Sequence, residues 1–251
     1  MQKVTSKDGT EIAFEKSGNG PALIIVGGSL ADHQFYAPLA DELAKHFMVY
    51  NFDRRGRGQS GNTGAYAVER EIEDVAALID FAKESVCMYG HSAGSALALR
   101  AAASGLNITK VALADPPFTP RGRNDEEAKT EFAEEAARIQ ELHNKDDHRG
   151  SVKFFLSGMG LSDEDIEGIL ESPAGETMID SAVPCPTIMS FWVTDLCRQI
   201  WEPKLKFRPL FLHPRQCQRR HKLWLMLCQT PVFRDWRSQL TRLHRPTWPR
   251  S

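Results

Sequence analysis

The sequence predicts an α/β fold: a mostly parallel sheet with helices on both faces, a helical lid, and an irregular C-terminal stretch of 70 residues. Three observations predict it. Up to about residue 118, short apolar runs alternate with stretches of helical periodicity, the order that sets helices between parallel strands. Residues 21–26 form an unbroken apolar run, as in a strand buried on both faces. The 251 residues, 41% of them hydrophobic, are enough to bury one large core.

Each element has its own signal. Segments 3–7 and 11–16 flank Asp8-Gly9, a hairpin turn dipeptide. The apolar run 21–26 ends in Gly27-Gly28. Tyr36, Leu39, Ala40 and Leu43 fall at helical spacing, and residues 48–52 follow as another strand. Ile72, Val75, Ala76 and Ile79 mark a second amphipathic helix. Residues 86–89, a helix after Ser92, and residues 110–115 complete the series. These make residues 1–118 a core with the first six strands. Residues 119–181 change character, with charged helical stretches at 124–143 and 163–171 and no good strand. They read as a mobile lid over the carboxyl edge of the sheet, or as a solvated helical insertion without substrate contact.

Chemistry concentrates at the ends of the predicted strands. Gly90-His-Ser-Ala-Gly94 fits G-x-S-x-G in the strand–turn–helix context the motif requires: small flanking residues let the backbone turn sharply, so that the serine hydroxyl projects above the sheet. Upstream, Val26-Gly27-Gly28-Ser29 can turn backbone N–H groups toward a developing oxyanion, joined by the N–H of Ala93 at the start of the following helix. Between them the polar, glycine-punctuated stretch 51–61 contains Asp53 and Arg54, which read as structural support for the neighbouring loops.

On these three segments, residues 1–118 resemble the first half of the α/β-hydrolase fold superfamily. The resemblance implies Ser92 as nucleophile, the backbone N–H groups of Gly28 and Ala93 as oxyanion hole, an acid after the sixth or seventh strand, and a histidine base after the last strand. It further implies a cofactor-independent, esterase-like hydrolase, without metal, that acts on a small ester-like molecule through an acyl-enzyme. Asp115, at the end of the strand after the nucleophile helix, could hold an imidazole in the right tautomer; the alternative is that it merely caps that strand before two prolines. His91 neighbours the nucleophile and reads as structural. His33 either lines the pocket or lies on the surface.

Residues 182–251 are unlike the rest. They carry 13 Lys/Arg against 3 Asp/Glu, where residues 1–181 carry 18 against 30, and they hold all five Trp but none of the eighteen Gly. Joining each codon's third base to the next codon's first two forces glycine at Trp192-Val193 and Trp201-Glu202, leucine at Asp235-Trp236 and alanine at Trp248-Pro249. In that frame residues 206–211 permit a strand and Leu240-Thr241 permits a histidine. The stretch therefore reads as an atypical basic tail, out of frame from about Ala182 and expected to pack poorly. In the frame as written, His213, His221 and His244 are the candidates for the base, His244 being the best placed.

Other readings of the tail are a nucleic-acid or acidic-surface binder, which lacks a recognition motif, and a zinc site, which lacks close cysteine pairs. We expect no nucleic-acid or membrane partner. There is no run of about 18 apolar residues, no leader pattern, and an odd count of five cysteines, which together lead us to expect a cytoplasmic protein. The oligomeric state is not readable from these signals.

Overall fold

The computed structural model describes residues 1–116, 125–182 and 210–212. The expectations placed on 183–209 and 213–251, including those for His213, His221, His244 and the reading frame, lie outside the described residues. β1 (Gln2–Thr5) and β2 (Glu11–Gly18) form the expected antiparallel hairpin. Its turn works as the dipeptide suggests: Gly9 takes φ +88°, and the Asp8 carboxylate accepts the Thr10 N–H at 3.0 Å.

β3 (Ala22–Val26), α1 (His33–Leu43), β4 (Met48–Phe52), α2 (Val68–Ala82), β5 (Val86–His91), α3 (Ala93–Ala103) and β6 (Ile108–Ala114) then alternate. Among the described residues the sheet has the order β1-β2-β4-β3-β5-β6-β7, where β7 is Leu210–Leu212. β2 runs antiparallel to both of its neighbours, and β4, β3, β5, β6 and β7 run parallel. Sequence reading assigned no strand to 182–251 as written. Leu210–Leu212 nevertheless pairs with Ala112–Ala114, because an open parallel edge offers unpaired N–H and C=O groups to an apolar extended segment.

Side-chain alternation divides β3 between two cores. Ile24 and Val26 pack with Val75 and Leu78 of α2 and Leu97 of α3, whereas Leu23 and Ile25 pack with Tyr36, Leu39 and Leu43 of α1. Every residue of β3 is buried, as its unbroken apolar run requires.

After β6 come α4 (Asp125–Asn144), α5 (His148–Gly158), α6 (Asp163–Leu170) and α7 (Pro173–Ala182). Sequence periodicity marked α4 and α6. The short α5 and α7 are set by their ends: Asp147 accepts the Gly150 N–H at the start of α5, and Pro173 opens α7, where its missing N–H costs nothing. Val152, Leu156, Ile166, Leu170 and Ala182 form a separate small core, and Leu30, two residues past Gly28, packs against it. Among the described residues, no helix is long and apolar enough to cross a membrane.

Candidate active site

The sheet register assembles the site. Val26 is paired with Gly90 across β3 and β5, and His91 with Ala114 across β5 and β6. Neighbouring strands lie about 4.8 Å apart, so the segments leaving their carboxyl ends, Gly27-Gly28, Ser92 and Asp115, emerge side by side. Such an edge is where ligands bind in parallel sheets.

Ser92 holds φ +49° and ψ −120°, a region that L-residues rarely occupy. Its N–H donates to Ala114 O at 2.9 Å, which ties the turn to β6. The Ser95 hydroxyl lies 2.8 Å from Gly90 O and 2.9 Å from Ala114 O, so one buried donor braces both sides of the turn. The glycines of the motif are steric necessities: a Cβ on Gly94 would run into the Val26 carbonyl, and one on Gly90 into the Gly94 carbonyl. Ala93 is the first residue of α3, where helix geometry leaves an N–H without an intrahelical acceptor and the helix dipole favours negative charge.

Gly28 stands beside this turn, since a Cβ placed on it would be 3.6 Å from Ser92 Cβ. Its own N–H donates to Tyr36 Oη at 2.9 Å. The expected use of that N–H as an oxyanion donor thus meets a competitor in the structure: the donor is already engaged by a buried hydroxyl. The loop carbonyls are held from the opposite side. Arg54 Nη1 donates to Gly27 O and Gly28 O at 3.2 and 3.3 Å, and Arg57 Nε donates to Ser29 O at 2.6 Å. In a planar trans peptide the N–H points away from the C=O, so anchoring these carbonyls fixes the direction of the N–H groups that follow them.

Arg54 is itself fixed by a bidentate pair with Glu71, at 2.6 and 2.7 Å, and both side chains are 1% exposed. Burial is the largest single effect and pushes the Glu71 carboxyl up, but the charge and hydrogen bonds of Arg54, with smaller help from Arg57 and Tyr66, together leave the group below its ordinary value. Asp53 supports the same loops, as the sequence suggested. One of its oxygens accepts the His33 N–H at 2.7 Å and lies 2.8 Å from His33 Nδ1; the other accepts the Gln59 N–H at 2.9 Å. His33 is therefore neither pocket-lining nor on the surface, but 5% exposed beneath the loop.

Asp32, His33 and Asp53 are the one set among the described residues with donor atoms close enough for a metal ion. Those atoms already have work in the fold, because Asp32 caps α1 through the Gln34 and Phe35 N–H groups while Asp53 holds His33 and Gln59.

Asp115 follows β6 directly with φ +45°, an uncommon conformation for a residue before proline, and it is partly exposed. Its charge helps to raise the pKa of the buried Tyr89 hydroxyl, behind the larger effect of burial and that of Tyr36. His91 is neutral at ordinary pH, since enclosure of its ring pulls its pKa down to about 4. Its Nδ1 lies 2.8 Å from Tyr36 Oη, so it serves structure, as its position next to Ser92 implied. Sequence reading missed Tyr36 and Ser95: the first looked like one more apolar-face residue of α1, and nothing local distinguished the second.

A family model described as the alpha/beta hydrolase family matches residues 22–247. The N-formylmaleamate deformylase of Pseudomonas putida is 35% identical over 112 residues, 42% of this chain and 41% of that protein. A pimeloyl-[acyl-carrier protein] methyl ester esterase of Xanthomonas campestris is 30% identical over 147 residues, 56% of this chain and 53% of that protein. The chain thus spans about half the length of the curated relatives it matches. Among solved structures, an alpha/beta hydrolase from Sphaerobacter thermophilus is 31% identical with a TM-score of 0.68, covering 92% of this chain and 100% of that one.

Proposed function

The chain belongs to the alpha/beta hydrolase family, and from that membership we propose that it is a serine hydrolase acting on a small ester-like molecule without a cofactor. The observation that carries the reading is the backbone of Ser92: a strained, non-glycine turn between β5 and α3, beside the Gly28 loop and Asp115.

Ser92 Oγ attacks the acyl carbon while a histidine takes its proton. The peptide N–H groups of Ala93 and Ser29 face the charge that develops on the carbonyl oxygen. The C–O bond then breaks, the leaving group takes the proton, and water releases the acyl group by the same steps in reverse order. Asp115 orients the imidazole. The base comes from the region after residue 212, with His244 the candidate in the frame as written. The curated relatives are named for a deformylation and for cleavage of a methyl ester, which supports a small acyl substrate for this chain too.

A second reading rests on a different observation, the glycine-free basic composition of 182–251. If that stretch is out of frame, the chain keeps nucleophile and acid but lacks its base, and is catalytically inactive. The family match running on to residue 247 favours the first reading.

An active-site-directed phosphonate separates the two. Rapid labelling that Ser92→Ala abolishes, and that Asp115→Asn slows by about 10⁴, is the expected result. Folded protein that takes up no label rejects the working triad.

A further inference from the structure

Tyr36 joins two parts of the site that are distant in sequence. Its side chain comes from α1, is 5% exposed, and reaches the gap between the Gly27-Gly28 loop and the nucleophile turn. The ring presses on Gly27, where a Cβ would lie 2.7 Å from Tyr36 Cε2, and meets His91 edge to face at 5.9 Å between centroids. The hydroxyl accepts the Gly28 N–H at 2.9 Å and lies 2.8 Å from His91 Nδ1. With the Gly28 N–H donating to it, the hydroxyl can give its own proton to His91 Nδ1 when the imidazole carries its proton on Nε2.

Building on the proposed hydrolase, we infer that Tyr36 is a positioning residue: a Gly28 N–H to Tyr36 Oη to His91 Nδ1 hydrogen-bond chain bolts the oxyanion loop to the nucleophile turn and fixes their separation. Two features make the chain one-directional. Burial raises the phenol far above its ordinary pKa, so it always has a proton to give, and the enclosed imidazole stays neutral, so it always has a lone pair to receive it. The Gly28 N–H is thereby part of the clamp. The loop's contribution to the oxyanion then falls to the next peptide, that of Ser29, whose preceding carbonyl Arg54 holds. Both donors of the hole are set relative to one hydroxyl. A spacing error of about 1 Å between such groups is enough to cost a factor of roughly 100 in rate.

The test uses the full chain, with three measurements on Tyr36→Phe, His91→Ala and the double variant. First, ¹⁵N spectra of the histidine rings are expected to show His91 as the Nε2–H tautomer; an Nδ1–H tautomer overturns the chain. Second, the Gly28 amide is expected to exchange at least about tenfold faster in Tyr36→Phe; unchanged protection overturns the clamp. Third, the limiting rate of Ser92 phosphonylation is expected to fall about tenfold in either single variant, at unchanged half-saturating concentration, with no further loss in the double. Multiplying losses, or a change confined to the half-saturating concentration, count against it. His91→Ala keeps the test open if Tyr36→Phe does not fold. Should the parent chain take up no label, the hydrolase reading fails, while the tautomer and the Gly28 amide still decide the clamp.

Discussion

Ser92 is where the proposed function and stability pull apart most clearly. Its φ of +49° is one that glycine adopts freely and serine does not, at a cost of order 1–3 kcal/mol. Ser95, Ala114 and the two flanking glycines hold it there. Replacing Ser92 by glycine relieves the strain but adds freedom to the unfolded chain, worth roughly 0.5–1 kcal/mol the other way. We expect Ser92→Gly to be more stable than the parent by about 1 kcal/mol in urea unfolding, with no phosphonate labelling. A destabilised Ser92→Gly would mean that the hydroxyl contributes more to the fold than the turn costs. The motif around Ser92 was legible in the sequence because its requirements are steric and local. The place of Asp115 at the end of β6 was legible, yet the left-handed backbone that turns it was not, because the following proline gives no sign of it.

Among the elements, the segment between β4 and α2 matters most to the site. Arg54 and Arg57 leave it to grip three successive carbonyls of the loop after β3, and Glu71 in the first turn of α2 holds Arg54 from behind. A buried pair of this kind adds little net stability over an apolar one, but breaking it leaves an uncompensated charge. Glu71→Gln is therefore expected to destabilise by about 3 kcal/mol in urea unfolding, and to loosen the Gly28 amide in exchange experiments. A loss below about 1 kcal/mol would show that Arg54 finds another partner. Sequence reading identified the stretch 51–61 as support, since its polarity inside an apolar series was visible. The partner on α2 was not, because a glutamate in the first turn of a helix is ordinary in any sequence.

For the whole molecule, two bodies of different size share one chain. The sheet with α1, α2 and α3 carries two extensive cores, while α5, α6 and α7 close on a small one to which Leu30 of the loop after β3 is attached. That attachment makes the helical layer a direct neighbour of the candidate site. The composition break at about residue 182 lies at the end of α7, where the described helices stop. On the second reading, resequencing of the gene finds, near the codon of Ala182, a length change not divisible by three, and the frame-restored chain labels at Ser92 faster than the present one. A gene that confirms residues 182–251 as written removes this reading and leaves His244 to be tested by His244→Ala.

The sequence by itself determined the succession of strands and helices, the mostly parallel sheet, and the serine turn. Each rests on periodicity or on steric demands spanning a few residues, which any fold would have to satisfy locally. The tertiary structure alone decided that Tyr36 occupies the Gly28 N–H, that Arg54 and Glu71 aim the loop, and that His33 is buried on Asp53. Those are contacts between residues 8 to 27 positions apart. Their energy comes from desolvated hydrogen bonds that exist only once the sheet has brought its strand ends together.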